Sequence, residues 1–394
     1  MTLYKQLYKL NSDGHSIQSW QIHHNENSYW TTSGKLGMKQ TTSSPTMVEA
    51  KQKRSLIEQI ISECDSQIEI KRRKKYVPEL KDVHGADDNL DGISVMLAHK
   101  YNEHKDKIKF PCAAQPKLDG IRDVTKKDSG GGTTTDVRMY SRGRKEFTSC
   151  THIKAELQDF YKSDETAILD GELYTSIYKN DFQAICKAVK KTALHATPAD
   201  IALQRKVQYH IYDAPRIAGL TESDPFRKRQ EAIAKAFKGY KNIVVVETVY
   251  DIQNEAELLA LKERWISEGN EGIMVRNQDA PYEGKRSYNL QKWKDFIDEE
   301  FLIVGVNEGS GGLAGHAGSF TFALYDNEAD RFIAGLDTSI QTFNAKMIGS
   351  FENLKYLFEH QDECIGKKAT VRFQNRTNDN VPRFPVCRGI RDYE

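Results

Sequence analysis

The sequence predicts an α+β protein of several domains: a small α+β unit, a longer mixed unit and a small β-barrel. Three observations carry this. The chain has 394 residues, more than one hydrophobic core usually holds. Short runs with period-two alternation recur along the whole length, and between about 93 and 297 they interleave with helix-period segments. A polar stretch near 81–92 and a change of character near 298 divide the chain into 1–80, 81–297 and 298–394.

In the first unit, Leu3 to Leu10 alternates as a strand does, and Asn11-Ser12-Asp13-Gly14 is turn chemistry. Segments 19–22 and 27–32 read as further short strands, with a turn at Gly34-Lys35-Leu36-Gly37. From Thr46 to about Lys75 the spacing of Ala50, Leu56, Ile57, Ile60 and Ile61 predicts a helix, stopped by Pro78. Residues 81–92 read as a linker. The middle unit offers strands at 137–140, 167–170, 207–212, 243–246 and 272–276, with helices near 150–162, 181–193, 226–238 and 254–268. Gly130-Gly131-Gly132 with Thr133 to Thr135 predicts a hairpin loop. In the tail, 301–306, 319–325 and 368–373 are strand-like, and a helix is expected over about 342–360. Short strands with turns suit a small barrel.

Hydrophobic residues make up 38% and charged residues 29%, which excludes a disordered composition. The net charge of +1 leaves nucleic-acid binding to local clusters. Cys64, Cys112, Cys150, Cys186, Cys364 and Cys387 show no CxxC spacing, so neither a zinc ribbon nor a redox pair is expected. No apolar run reaches the length of a membrane span, and Met1 to Gln6 carries no signal-peptide core. A soluble intracellular protein without a membrane partner is the expectation.

The chemistry concentrates in Gln115-Pro116-Lys117-Leu118-Asp119-Gly120-Ile121-Arg122. A lysine nucleophile must lose its proton, although its free pKa is about 10.4. A nearby cation, a metal or burial depresses it. Arg122 can hold a phosphate in fixed geometry. Asp-Gly alone is ordinary turn chemistry, and the chain contains a control: Asn89-Leu90-Asp91-Gly92-Ile93-Ser94 repeats the core without the lysine or the arginine. That copy reads as a plain turn.

What separates the two is the ordered set downstream. It comprises Ser141-Arg142-Gly143-Arg144, Leu169-Asp170-Gly171-Glu172, Tyr212-Asp213 at a strand end, Glu271-Gly272-Ile273-Met274-Val275, Leu290-Gln291-Lys292-Trp293-Lys294, and Val381-Pro382-Arg383-Phe384-Pro385 through Arg391-Asp392. In this order the set resembles the covalent nucleotidyltransferases, specifically ATP-dependent DNA ligases of the small phage-like kind. The likeness spans roughly 95–394.

The resemblance implies a nucleotidyltransferase (adenylation) domain of antiparallel sheets and helices, followed by an OB-fold barrel. It implies ATP and Mg²⁺ as cofactors and nicked duplex DNA as partner. Lys117 would attack the α-phosphate of ATP, with Asp119 in the same motif. Gln115, Leu118, Arg122, Arg142, Glu172, Tyr212, Glu271 and Arg383 would bind nucleotide. Asp170 and Glu271 lean toward metal, a hard cation that takes oxygen ligands. Glu172 leans toward the ribose, and Tyr212 toward stacking on adenine, where phenylalanine is the expected residue. Lys292 and Lys294 alternate around Trp293, so a strand points both to one face, where they neutralise phosphate and help to depress the Lys117 pKa. Arg142 and Arg144 would also lie along DNA. Arg383 and Arg391 would meet the pyrophosphate in one of two barrel positions. One ligase chain can encircle a nick, so a monomer is expected.

The glycine-rich stretch Glu308 to Gly318 fails the dinucleotide fingerprint, because Ala314 stands at the third glycine and a strand follows it. It reads as a connection between barrel strands. In the first unit, Tyr29-Trp30-Thr31-Thr32-Ser33-Gly34-Lys35 resembles the small Trp-Gly-Arg domains associated with DNA ends, though the triplet itself is absent. Lys71-Arg72-Arg73-Lys74-Lys75, with Lys51, Lys53 and Arg54 upstream, predicts salt-sensitive contact with DNA phosphates. The bland alternative is a solvated charge run. RNA ligases and mRNA guanylyltransferases share the Lys-x-Asp-Gly core; the ending at 383–392 favours a DNA ligase. A noncatalytic nucleic-acid-binding relative would not need Lys117, Glu172, Glu271, Lys292 and Lys294 together.

Overall fold

The computed structural model describes residues 2–11, 13–51, 54–85, 94–127, 137–178, 182–326, 328, 333, 340–377 and 379–391. The triple-glycine stretch at 130–132 and the Leu90-Asp91-Gly92 copy lie outside them. Contacts group the chain into two compact units: Asp88–Asp295, and Met1–Asp87 with Phe296–Glu394.

Strands β1 (Thr2–Leu10), β2 (Ile17–His24), β3 (Ser28–Lys35), β4 (Thr41–Thr42) and β5 (Thr46–Met47) form one antiparallel sheet. The helix Leu56–Arg72 covers it, burying Ile60, Cys64 and Ile68 against Leu7, Trp20 and Ile22. The helix was expected from Thr46. It starts ten residues later because Ser55 and Glu58 form a capping box, while Thr46 and Met47 pair with β3. The expected linker is ordered at Leu80–Gly85 as a 3-10 turn with Val83 buried.

Within Asp88–Asp295, further strands build two sheets. They are β6 (Leu97–Lys100), β7 (Cys112–Lys117), β8 (Ile121–Lys127), β9 (Val137–Ser141), β10 (Glu146–Phe147), β11 (Ile168–Tyr174), β12 (Gln208–Arg216), β13 (Ile243–Val245), β14 (Val249–Ile252), β15 (Gly272–Arg276) and β16 (Arg286–Trp293). One sheet runs β10-β9-β8-β11-β12-β13 and the other β14-β7-β15-β16-β6. Both are antiparallel except for the edge pairs β12/β13 and β16/β6. Helices Thr151–Phe160, Phe182–Lys190 and Phe226–Ala236 contribute Ile153, Leu157, Ile185 and Ile233 to the core under the first sheet. Glu255–Ser267 supplies Leu258 and Trp265 to the second. Only residues 118–120 separate β7 from β8, so the chain steps from one sheet to the other at Lys117.

Strands β17 (Ile297–Glu308), β18 (Ala317–Ala323), β19 (Thr342–Lys346), β20 (Lys368–Phe373) and β21 (Val386–Ile390) close into a barrel. Its core holds Phe301, Phe320, Phe322, Phe343 and Phe373. The glycine-rich stretch joins β17 to β18, as expected. The helix expected over 342–360 is shorter. Phe343 and Ala345 alternate inward on β19, and Ser350 then caps a helix at Phe351–Glu359.

Candidate active site

The step between the two sheets sets the geometry. Lys117 ends β7, and Gly120 lets the following turn press against β11. A Cβ on Gly120 would lie 2.5 Å from the Leu173 carbonyl and 2.7 Å from Glu172 Cγ. Both strands of the second sheet that follow in register serve the same corner: Lys117 pairs with Gly272, and Met274 with Gln115 and Lys292. In the first sheet Arg122 lies opposite Glu172. A cavity of about 260 Å³ opens between the sheets, lined by Gln115, Lys117, Leu118, Arg122, Arg142, Glu172, Tyr212 and Lys292 among the expected residues.

Glu271 is the electrostatic centre. Its carboxylate, 7% exposed, accepts from Lys117 Nζ on one oxygen and from Lys294 Nζ at 2.7 Å on the other. Its backbone N–H also donates to the Lys117 carbonyl at 2.9 Å. Burial works against the charge of Glu271, but Lys117 and Lys294 outweigh it and hold the carboxyl below the usual carboxylate range. Lys292 faces the same cavity. Burial first, then Lys294 and Lys117, push its ammonium pKa down. Strand β16 ends at Trp293, so Lys294 lies one residue beyond it. Trp293, between the two lysines, stacks on Tyr101 at 4.5 Å and anchors the pair. The structure brings the two lysines together at this corner, Lys292 lining the cavity and Lys294 on Glu271.

Arg122 is held from three directions. It donates Nε to Asp170 Oδ1 at 2.9 Å, Nη2 to Asp170 Oδ2 at 2.5 Å and Nη1 to the Met96 carbonyl at 2.8 Å. Tyr282 donates its hydroxyl to Asp170 Oδ2 at 2.7 Å and accepts from the Met96 N–H at 3.0 Å. Asp170, expected as a metal carboxylate, is thus 1% exposed and committed to Arg122 and Tyr282. Glu172, two residues on, is set deep in the fold yet open to the cavity. Burial pushes its carboxyl up to about 8, against the pull of Lys117 and Arg122.

Tyr212 lies within β12 rather than at its end, with the Arg122 guanidinium 5.7 Å from its ring. Gln115 is buried and donates Nε2 to the Tyr212 carbonyl at 3.1 Å and to Thr248 at 3.0 Å. Asp119 occupies the turn between β7 and β8. Arg142 and Arg144 sit in the tight turn after β9, Arg144 with φ 63°. Arg383, Arg391 and the run Lys71–Lys75 belong to the other compact unit. There Arg391 donates Nε to Thr370 at 2.6 Å and pairs with Glu300 at 3.3 Å.

Sequence reasoning missed a second layer. Asp213, fully buried, binds Arg229 through both oxygens and Arg276 at 2.6 Å. The two arginines outweigh burial and keep Asp213 below its usual pKa. Arg276 lines the cavity, so this cluster ties β12 to β15. Asp213 and Arg276, charges within largely apolar strands, were the available signal; Arg229, in a charged helix, offered none. Tyr282 left none. Among the described residues, no group of three or more His, Cys, Asp or Glu side chains is placed to hold a metal. Nor is any helix long and apolar enough to cross a membrane.

Comparison with known proteins gives the following. The family model "ATP dependent DNA ligase domain" matches residues 95–294, about half of the chain. A DNA ligase of African swine fever virus (isolate Warthog/Namibia/Wart80/1980) is 31% identical over 254 residues, covering 60% of this chain and 55% of that protein. The DNA ligase of Enterobacteria phage T4 is 26% identical over 247 residues, covering 54% and 50%. This chain thus spans about half the length of the curated relatives it matches. Among solved structures, Pmar-Lig_PreS3 superposes with a TM-score of 0.61 at 23% identity, covering 76% of this chain and 68% of that one. A Lig E DNA ligase gives 0.57 at 20% identity, covering 76% and 99%. Both show the shared fold.

Proposed function

This chain belongs to the ATP-dependent DNA ligase family, and we propose that it seals nicks in duplex DNA through an AMP-bearing Lys117, acting as a monomer. The observation that carries the reading is the convergence of Lys117 and Lys294 on Glu271, with Lys292 close by, beside a cavity lined by Tyr212 and Met274. ATP is read as lying with its base along Tyr212 and Met274 and its ribose toward Glu172. Lys117 Nζ leaves Glu271, gives up one proton to solvent and, as the free amine, attacks the α-phosphorus, a second N–H proton passing to solvent as the bond forms. A P–N bond forms while the bond to the β-phosphate oxygen breaks, and pyrophosphate departs. A 5′-phosphate oxygen of the nick then displaces Lys117 and takes the AMP. Finally the 3′-hydroxyl attacks that 5′-phosphorus, loses its proton, and AMP leaves. Lys292 and Lys294 face the charge that builds on the transferring phosphorus. Arg122, fixed by Asp170, and Arg142 hold phosphate at the cavity, with Arg144 beside the DNA.

Glu271 would hold magnesium only once Lys117 Nζ leaves it, because both its oxygens otherwise carry ammonium groups and Asp170 is committed to Arg122; Mg²⁺ ordinarily takes one or two carboxylates together with substrate phosphates. When bound it would neutralise phosphate charge. The test is intact-mass measurement after incubation with Mg²⁺ and ATP, GTP or NAD, on the chain and on Lys117→Ala. Gain of one AMP from ATP, lost in the variant, is expected. Adduct formation from GTP alone, or from none on protein free of prior AMP, overturns the reading.

A further inference from the structure

The five consecutive cations at the end of the first helix are neither one helix face nor a solvated linker. The helix ends at Arg72, and the chain turns through Arg73, Lys74 and a left-handed Lys75 (φ 68°). Val77 is then stitched to β1, with Tyr8 N–H to the Val77 carbonyl and Val77 N–H to the Tyr8 carbonyl, each at 2.8 Å. That stitch sets Tyr76 between the helix end and β1. Lys71 Nζ lies 5.0 Å from the ring centres of both Trp20 and Tyr76, and Lys9 Nζ, from β1, lies 5.8 Å from Tyr76. Lys9, Lys71 and Lys74 are close enough to repel: burial, then Lys74 and Lys9, push the Lys71 pKa down. Arg72 points elsewhere and pairs with Glu69 at 2.6 Å.

A helix C-terminus favours nearby cations. That accounts for Lys71 or Lys74, but not for a lysine brought in from a strand more than sixty residues earlier in sequence. Nor does it account for aromatic rings that hold an ammonium in place. Three cations that repel one another, two of them held on aromatic rings, are stabilised by a polyanion. The chemistry they match is a run of backbone phosphates, since ammonium groups contact phosphate as point charges without reading bases.

We infer that Lys9 and Lys71, seated on Trp20 and Tyr76, form with the neighbouring exposed Lys74 a docking face for the phosphate backbone of duplex DNA. The choice of duplex DNA as partner rests on the ligase reading above; the cation geometry does not. The face excludes Arg72, although it belongs to the same run. It adds affinity without base specificity, and it plays no part in forming the lysyl-AMP bond.

The experiment is fluorescence anisotropy of the chain on a nicked duplex bearing a 5′-hydroxyl, without ATP, over a KCl series. Each phosphate contact contributes about 0.9 to the slope of log K against log salt. The triple variant Lys9→Gln, Lys71→Gln, Lys74→Gln is expected to flatten the slope by about 2 to 3 on that basis. Arg72→Gln is expected to leave it unchanged. An unaltered slope in the triple variant overturns the face, as does an equal loss in Arg72→Gln. Lysine-dependent binding to phosphatidylserine vesicles with an unaltered DNA slope would assign the face to membranes and overturn it too. Should the triple variant unfold, Lys74→Glu decides, because Lys74 is exposed: a flattened slope supports the face, and an unchanged one overturns it. Adenylation read by mass stays a separate measurement, so failure of the ligase reading would be distinguishable from failure of this one.

Discussion

Acidic residues of the same compact unit are driven toward opposite charge states, and the difference is their surroundings. Glu271 stays ionised because two ammonium groups reach it. Asp123 is fully buried, with Thr125 donating to its Oδ2 at 2.7 Å and the Tyr140 backbone also lending it support. Burial therefore pushes its carboxyl well above the usual range, and nearby Asp170 adds to this. A carboxyl kept neutral in the fold but ionised in the unfolded chain contributes stability that is full below the unfolded value of about 3.9. That contribution is lost as pH rises toward the folded value. Asp123→Asn removes the titration and keeps an acceptor for Thr125. Urea unfolding midpoints should show the variant gaining on the parent between pH 4.5 and pH 8. A difference that does not change with pH would refute the assignment.

Strand pairing, at the next scale up, explains a glycine that sequence reading could have taken for a turn. Gly171 lies in the middle of β11, opposite Ile211 and Asp123. A Cβ there would sit 2.5 Å from the His210 carbonyl and 2.6 Å from the Tyr209 ring. Gly171→Ala must push β12 away from β11, and with it Tyr212 away from Glu172. Overpacking of this kind typically costs about 1–3 kcal/mol. The expected result is a lower unfolding midpoint with a slower rate of AMP adduct formation. A variant as stable and as fast as the parent would show that β12 shifts without consequence. The β17/β18 connection makes the complementary point. Its glycines invited a nucleotide-loop reading, but the following strand, not a helix, shows that it serves the barrel.

On the scale of the whole molecule, the groups assigned to one reaction are divided between two compact units, with Lys117 in one and Arg391 in the other. If Arg391 meets the pyrophosphate of ATP, Arg391→Ala should slow adenylation of Lys117 and spare nick sealing by pre-adenylated protein. Single-turnover assays of each step separate the two, and a defect confined to sealing would reverse the assignment. Periodicity in the sequence was enough for the helices at 226–236 and 255–267 and the strand at 272–276, because periods of 2 and 3.6 are local properties of the chain. The ordered motifs picked out Lys117, Glu271 and Lys294, which the structure brings together. Beginnings set by a single cap, at Ser55 and Ser350, were overrun because a hydrophobic pattern extends past the residue that starts the helix. Which carboxylate meets which cation was decided only by the tertiary structure. Lys117 and Glu271 are 154 residues apart and meet because β7 and β15 pair, whereas Asp170 is taken by Arg122 through the pairing of β8 with β11. A charge states its sign in the sequence, but its partner, and hence its role, depends on which strands lie side by side.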